Sequence, residues 1–162
     1  MDNERNRVCP VALADSLDNK MRRWLQNPHK ILSPFIREGM TVLDVGCGPG
    51  FFSIELAKMV GSNGKVISAD LQDGMLLKLA GKIRGTELEK RIKLVKCEKD
   101  RINVSEKIDF GLAFFMVHEI PGKEHFFKEL KSILNEKGQI LIVEPKFLHV
   151  SRKDFELTTK IA

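Results

Sequence analysis

From position 40 onward, short apolar runs alternate with amphipathic stretches, and that alternation predicts the elements. Met40-Thr41-Val42-Leu43-Asp44-Val45 is an apolar run that ends in glycines. Positions 51–60 read as a helix closed by Gly61, since glycine readily takes the left-handed conformation that stops a helix. A second strand follows at 65–70, then a helix at 72–84 with Met75, Leu76, Leu79, Ala80 and Ile83 on one face. Strands are expected at 92–97 and 108–114. Positions 123–135 form an amphipathic helix in which Phe126, Phe127, Leu130, Ile133 and Leu134 recur at helical spacing. Gly138 is expected to end it, ahead of a fifth strand at 139–144. A last helix begins near Ser151.

Upstream of position 40 the pattern is helical only. Positions 15–26 carry Leu17, Met21, Trp24 and Leu25 at helical spacing, with Asp15 or Ser16 available as a cap. A shorter helix at 29–37 is limited by Pro34, whose ring blocks an interior backbone bond. The chain thus divides into a helical lead-in or lid at 1–39 and a main domain at 40–162. Strands alternating with helices point to βαβ units, an α/β fold and a parallel sheet with helices on both faces.

Composition narrows the setting. The chain has 162 residues, enough for one core. No apolar run approaches the roughly 20 residues that cross a bilayer, and the charged Met1–Arg7 segment does not read as a signal peptide. These features favour a cytoplasmic protein. Three widely spaced cysteines, Cys9, Cys47 and Cys97, make a poor disulfide framework and lack the tight spacing of a metal site, so no metal is expected. The net charge of +5 admits an anionic partner. The lysines are scattered along the chain, however, which suits solvated helix faces better than a nucleic-acid footprint.

The chemistry concentrates after the first strand. Asp44, Gly46, Gly48 and Gly50 sit at a strand-to-helix turn, where glycines let a ligand approach the backbone. The dinucleotide fingerprint G-x-G-x-x-G would need glycine at position 51, which is Phe51. Asp44 would also repel a pyrophosphate but attract a ligand carrying an ammonium and a sulfonium. The charges therefore favour S-adenosylmethionine (SAM) over NAD. Asp70 ends the second strand about 20 residues on, the distance at which an acidic group accepts from ribose hydroxyls; alternatively it caps the next helix.

Val42-Leu43-Asp44-Val45-Gly46-Cys47-Gly48-Pro49-Gly50 resembles motif I of the class I SAM-dependent methyltransferases. Ile108-Asp109-Phe110 resembles their fourth-strand motif, and positions 134–145 resemble the helix-to-fifth-strand motif of the small-molecule branch, similar to ubiquinone/menaquinone and arsenite methyltransferases. The resemblance implies a Rossmann-like open sheet of order 3-2-1-4-5. It also implies that Asp44, Gly46 and Gly48 hold the methionine part of SAM and that Asp70 holds the ribose. The family's acidic residue after the third strand falls on Cys97, with Glu98 beside it. Cys47, Leu71 and Phe115 complete the expected cofactor set. The family's last two strands have no room in this chain, so the domain is expected to be C-terminally incomplete. That leaves the fifth strand as an edge for a second copy or a partner to cover.

His118, in the loop after the fourth strand, is the candidate base, since an imidazole suits proton transfer at neutral pH. The alternative is that His118 and Glu119 only cap or orient the following helix. Glu144 faces the same rim, either to contact the acceptor or to cap the loop before Pro145. Phe51, Phe52, Phe114 and Phe115 either wall the ligand or belong to the core. Cys9 and Cys47 raise an arsenical substrate, against which stands the usual role of cysteine as a small buried hydrophobe. The expected function is methyl transfer from SAM to a small or medium-sized acceptor. The alternatives are a non-catalytic SAM-binding or partner module, an RNA methyltransferase and an NAD-dependent oxidoreductase.

Overall fold

The computed structural model describes residues 10–11 and 26–145. The expected helix at 15–26, but for Gln26, and the one beginning near Ser151 lie outside the described residues. In chain order the elements are α1 (Pro28–Leu32), β1 (Thr41–Val45), α2 (Ser53–Met59), β2 (Lys65–Asp70), α3 (Asp73–Ile83), β3 (Ile92–Lys96), β4 (Ile108–Phe114), α4 (Lys123–Ile133) and β5 (Leu134–Val143). Short 3-10 turns occupy Glu87–Lys90 and Val117–Glu119. The five strands form one parallel sheet in the order β3-β2-β1-β4-β5, as the resemblance implied.

Period-two alternation explains why the central strands β1, β2 and β4 are largely apolar on both faces. Val42 of β1, Val66 of β2 and Phe110 and Leu112 of β4 face α2 and α3, where Phe52, Leu56 and Leu79 pack. Leu43 and Val45, Ile67 and Ala69, and Ala113 face the other side, where Phe126, Phe127, Leu130 and Ile133 of α4 close the layer. A sheet buried on both faces needs apolar side chains at successive positions.

Two boundaries differ from the sequence expectation by more than two residues. The helix read over 29–37 ends at Leu32. Asn27 caps it, its Oδ1 accepting from the Lys30 N–H at 3.1 Å, and Pro34 prevents its continuation. The second difference is at α4, which passes into β5 at Leu134 without the turn expected at Gly138. Leu134 pairs with Ile108, and the ladder resumes with Gln139 opposite Phe110, so residues 135–138 bulge out of register. Asp109 anchors that bulge: its Oδ1 accepts from Asn135 Nδ2 at 2.6 Å and its Oδ2 from the Thr41 N–H at 2.8 Å. A side chain at Gly138 would lie 2.6 Å from Leu134 Cδ1, so the bulge folds back tightly enough to require glycine.

Candidate functional site

The C-terminal ends of parallel strands share one edge of the sheet, and ligands of open α/β folds bind there. Asp44, Asp70, Cys97, Phe115, His118 and Glu144 all follow from that edge. An open depression lined by Arg37, Met40, Asp109 and Asn135 lies at the opposite ends of the strands and shares none of these residues.

The turn after β1 is held from beneath. The Gly46 and Cys47 N–H groups both donate to the Ala69 carbonyl, at 2.8 and 3.1 Å, which pins the loop to the end of β2. Lys82 Nζ donates to the Pro49 carbonyl at 2.8 Å, fastening the loop to α3. Gly46, Gly48 and Gly50 all have positive φ, which only glycine adopts readily. Their surroundings differ. A Cβ on Gly46 would lie 3.0 Å from Met116, and one on Gly50 would lie 2.3 Å from Leu79 Cδ1, whereas one on Gly48 meets nothing within 4 Å. The loop is therefore packed on two sides and open above Gly48.

Two buried carboxylates flank that opening. Asp70, only 7% exposed, accepts from the Gly48 N–H at 2.8 Å with Oδ2 and from the Gln72 N–H at 2.8 Å with Oδ1. Asp70 thus secures the start of α3, as the capping alternative expects, and also ties the glycine loop to the end of β2. Burial raises its pKa, against the lowering effect of these backbone bonds and of Lys96. Asp44, 2% exposed, accepts from Ser53 Oγ at 2.5 Å. Ser53 was missed by the sequence reading, although a hydroxyl on the first residue of the helix after a glycine turn was a usable signal. The fit to a sulfonium ligand with an ammonium group is chemical: the buried carboxylates of Asp44 and Asp70 border the opening and would attract a cationic ligand.

The other candidates gather around these two. The Leu71 carbonyl accepts from Lys96 Nζ at 2.6 Å. The Cys97 N–H donates to the Asp70 carbonyl at 2.9 Å, extending the β2–β3 ladder by one residue. Glu98 is exposed and takes part in a backbone turn with Arg101, so it is the cofactor candidate least drawn into the cluster. Burial pushes the Cys97 thiol up to about 12, and burial with Asp44 and Asp70 nearby raises Cys47 as well. Both thiols stay protonated at neutral pH, which disfavours their use as soft-metal or arsenical ligands. Cys9 lies outside the described residues.

Phe51 and Phe52 are buried core residues. Ring contacts run from Phe52 to Phe114 and from Phe114 to Phe115, each with centroids 4.4 Å apart, from the core out to half-buried Phe115. Phe115 has φ +56°, unusual for a bulky residue, while its N–H donates to the Val143 carbonyl at 2.7 Å. This bend lays Met116 over Gly46 and leads into the 117–119 turn. There His118 Nδ1 lies 2.5 Å from Glu144 Oε2, and Nε2 lies 3.9 Å from Glu119 Oε1.

Burial, with Asp70 and Glu144 close by, pushes Glu119 up to about 7 from an ordinary 4.5. A carboxyl with a raised folded-state pKa stabilises the fold fully below its unfolded value, and that contribution is lost as pH rises through the folded value. Stability should therefore fall between about pH 4.5 and 7, by on the order of 3 kcal/mol from this group. Glu119→Gln should flatten that part of the profile in thermal melts. Parallel profiles for the variant and the parent protein would refute a shielded Glu119.

Comparison with known proteins supports the same reading. A family profile described as a methyltransferase domain matches residues 36–161. The demethylmenaquinone methyltransferase of Lactobacillus johnsonii is 32% identical over 110 residues, covering 67% of this chain and 45% of that protein. A ubiquinone/menaquinone biosynthesis C-methyltransferase of Salmonella arizonae is 28% identical over 110 residues, covering 67% and 44%. The chain thus spans less than half the length of these curated relatives. A SAM-dependent methyltransferase structure from Aquifex aeolicus superposes with a TM-score of 0.82 at 30% identity, covering 93% of this chain and 85% of that one. The glycine turn, the 3-2-1-4-5 sheet and these similarities agree, and the chain belongs to the methyltransferase-domain family, with the class I SAM-dependent fold.

Proposed function

We propose that this protein binds SAM at the C-terminal ends of β1 and β2 and methylates a small-molecule acceptor. The observation that carries the reading is the open space above Gly48, flanked by the buried carboxylates of Asp44 and Asp70. In this assignment Asp44, Gly46, Cys47 and Gly48 hold the methionine portion, while Asp70 and Leu71 hold the ribose. Cys97, Glu98 and Phe115 border the adenine and the rim. When bound, SAM supplies an activated methyl group on a cationic sulfur. The protein's own task is to orient the acceptor, exclude water and take up a proton where the acceptor carries one. His118 is the candidate for that last role.

The quinone-methylating names of the relatives make a hydroquinone lacking its ring methyl the first acceptor to try. The lead-in at 1–39 is assigned as the cover over the acceptor. A second copy or a partner is assigned to the β5 side, where β5 ends the described sheet. Among the described residues no helix is long and apolar enough to cross a membrane. The free thiols Cys47 and Cys97 favour a reducing, cytoplasmic setting.

SAM or S-adenosylhomocysteine at a hundred times its dissociation constant should stabilise the fold by about 2.7 kcal/mol, read as a rise in melting temperature. Transfer of labelled methyl to the hydroquinone, or to other members of an acceptor panel, should follow. Stabilisation by NAD but not by SAM would overturn the cofactor assignment. Binding without transfer to any acceptor would favour a non-catalytic module.

A further inference from the structure

We propose that Glu144 is the positioning residue for His118, and that the pair selects an acceptor whose methylated atom carries a removable proton. This rests on the methyltransferase reading above. The two residues are 26 positions apart in sequence. They meet because β4 and β5 are parallel neighbours, with Phe114 opposite Val143, so the residues just beyond both strands share one edge. Glu144 holds His118 at two points. Its Oε1 accepts from the His118 backbone N–H at 3.2 Å, and its Oε2 takes the ring Nδ1 at 2.5 Å. The Glu144 side chain is only 3% exposed and the His118 side chain 17%. Val117, fully buried, fixes the turn from the core side.

A carboxylate accepts only, so the Glu144 contact requires the proton to be on Nδ1, which makes Nε2 the basic nitrogen. Such a carboxylate also favours the imidazolium that forms once Nε2 takes a proton. A carboxylate committed in this way gives nothing to an acceptor without a proton, such as a thioether or a tertiary amine. It suits a hydroxyl, a phenol or an activated ring carbon. In the transfer, the acceptor–H bond breaks and its proton goes to Nε2, while the electron pair left behind forms the new bond to the methyl carbon. The sulfur–methyl bond breaks, the sulfonium becomes a neutral thioether, and the imidazolium returns its proton to water. No oxidant or reductant enters.

The first test needs no acceptor. In protein labelled with 15N at histidine and saturated with S-adenosylhomocysteine, long-range nitrogen–proton spectra report the tautomer, and His118 is assigned by its loss in H118A. The neutral ring should be Nδ1–H in the parent protein and in Glu144→Gln, whose side-chain carbonyl still accepts. Glu144→Ala should shift it towards Nε2–H. An Nε2–H ring in the parent protein, or an unchanged spectrum in E144A, overturns the proposal. The second test uses the demethylated hydroquinone. E144A should lower kcat about 100-fold with the KM for SAM unchanged, the scale of general-base effects, and E144Q should recover part of the loss. In an H118A background E144A should cost under about threefold, since groups that act as a unit are not additive. An equal loss in both backgrounds shows that Glu144 only supports the loop and refutes the proposal. If S-adenosylhomocysteine fails to bind, the functional reading fails, while the tautomer in the unliganded protein still decides the pairing.

Discussion

Replacing Asp70 with alanine is expected to weaken S-adenosylhomocysteine binding about 100-fold or more. Hydrogen bonds to a charged acceptor contribute about 1.5–3 kcal/mol each, and a ribose offers two hydroxyls. The substitution also strips a partner from the Gly48 and Gln72 N–H groups, which loosens the loop itself. Asp70→Asn is the milder variant: its one carbonyl still accepts from one of these N–H groups, while the charge and the second acceptor are lost. Burial raises the Asp70 pKa, so by linkage its ionised form is disfavoured in the fold and stability falls as pH rises through its titration. D70N relieves that buried charge but leaves one N–H without an acceptor, so it should melt above D70A and bind more weakly than the parent protein. Calorimetry that found unchanged affinity in D70A would remove Asp70 from the site.

Gly50→Ala should be the most damaging small substitution in the loop. Its φ is +90°, and the added methyl would sit 2.3 Å from Leu79 Cδ1 in the core. Backbone strain with overpacking should cost about 2–4 kcal/mol. For a domain of this size that corresponds to a fall of roughly 5–15 °C in melting temperature. Gly48→Ala is the contrasting case. It meets no atom within 4 Å and its φ of +53° is nearer the left-handed well, so it should cost only about 1 kcal/mol of stability. Its methyl enters the space above the loop, so its larger effect should be on cofactor binding. Equal melting temperatures for the two variants would contradict the packing of the loop against α3.

Much of this architecture was legible because it rests on local signals. β2 and β4 fall at the expected residues, since each is a mostly apolar run between turn signals. Gly61 ends the helical stretch after the glycine turn at φ +69°, as a left-handed stop requires. The glycine turn, Asp44 and Asp70 were legible for the same reason: a strand end followed by glycines is a property of a few consecutive residues. The end of α4 was not, because the Leu134–Ile108 pairing and the grip of Asp109 on Asn135 draw residues out of the helix that periodicity assigned to it.

The sequence by itself determined the order of the described elements, the glycine turn and the acidic residues at or next to the ends of β1 and β2, because each is encoded within a short window. Only the tertiary structure decided which of those residues act on one another. Ser53 meets Asp44 across the turn, and Glu119 is crowded by Asp70 and Glu144. Glu144, which the sequence left between an acceptor contact and a loop cap, binds both the ring and the backbone of His118. The physical reason is parallel strand pairing, which brings the ends of β1, β2, β4 and β5 to one edge and turns distant positions into neighbours within hydrogen-bond reach.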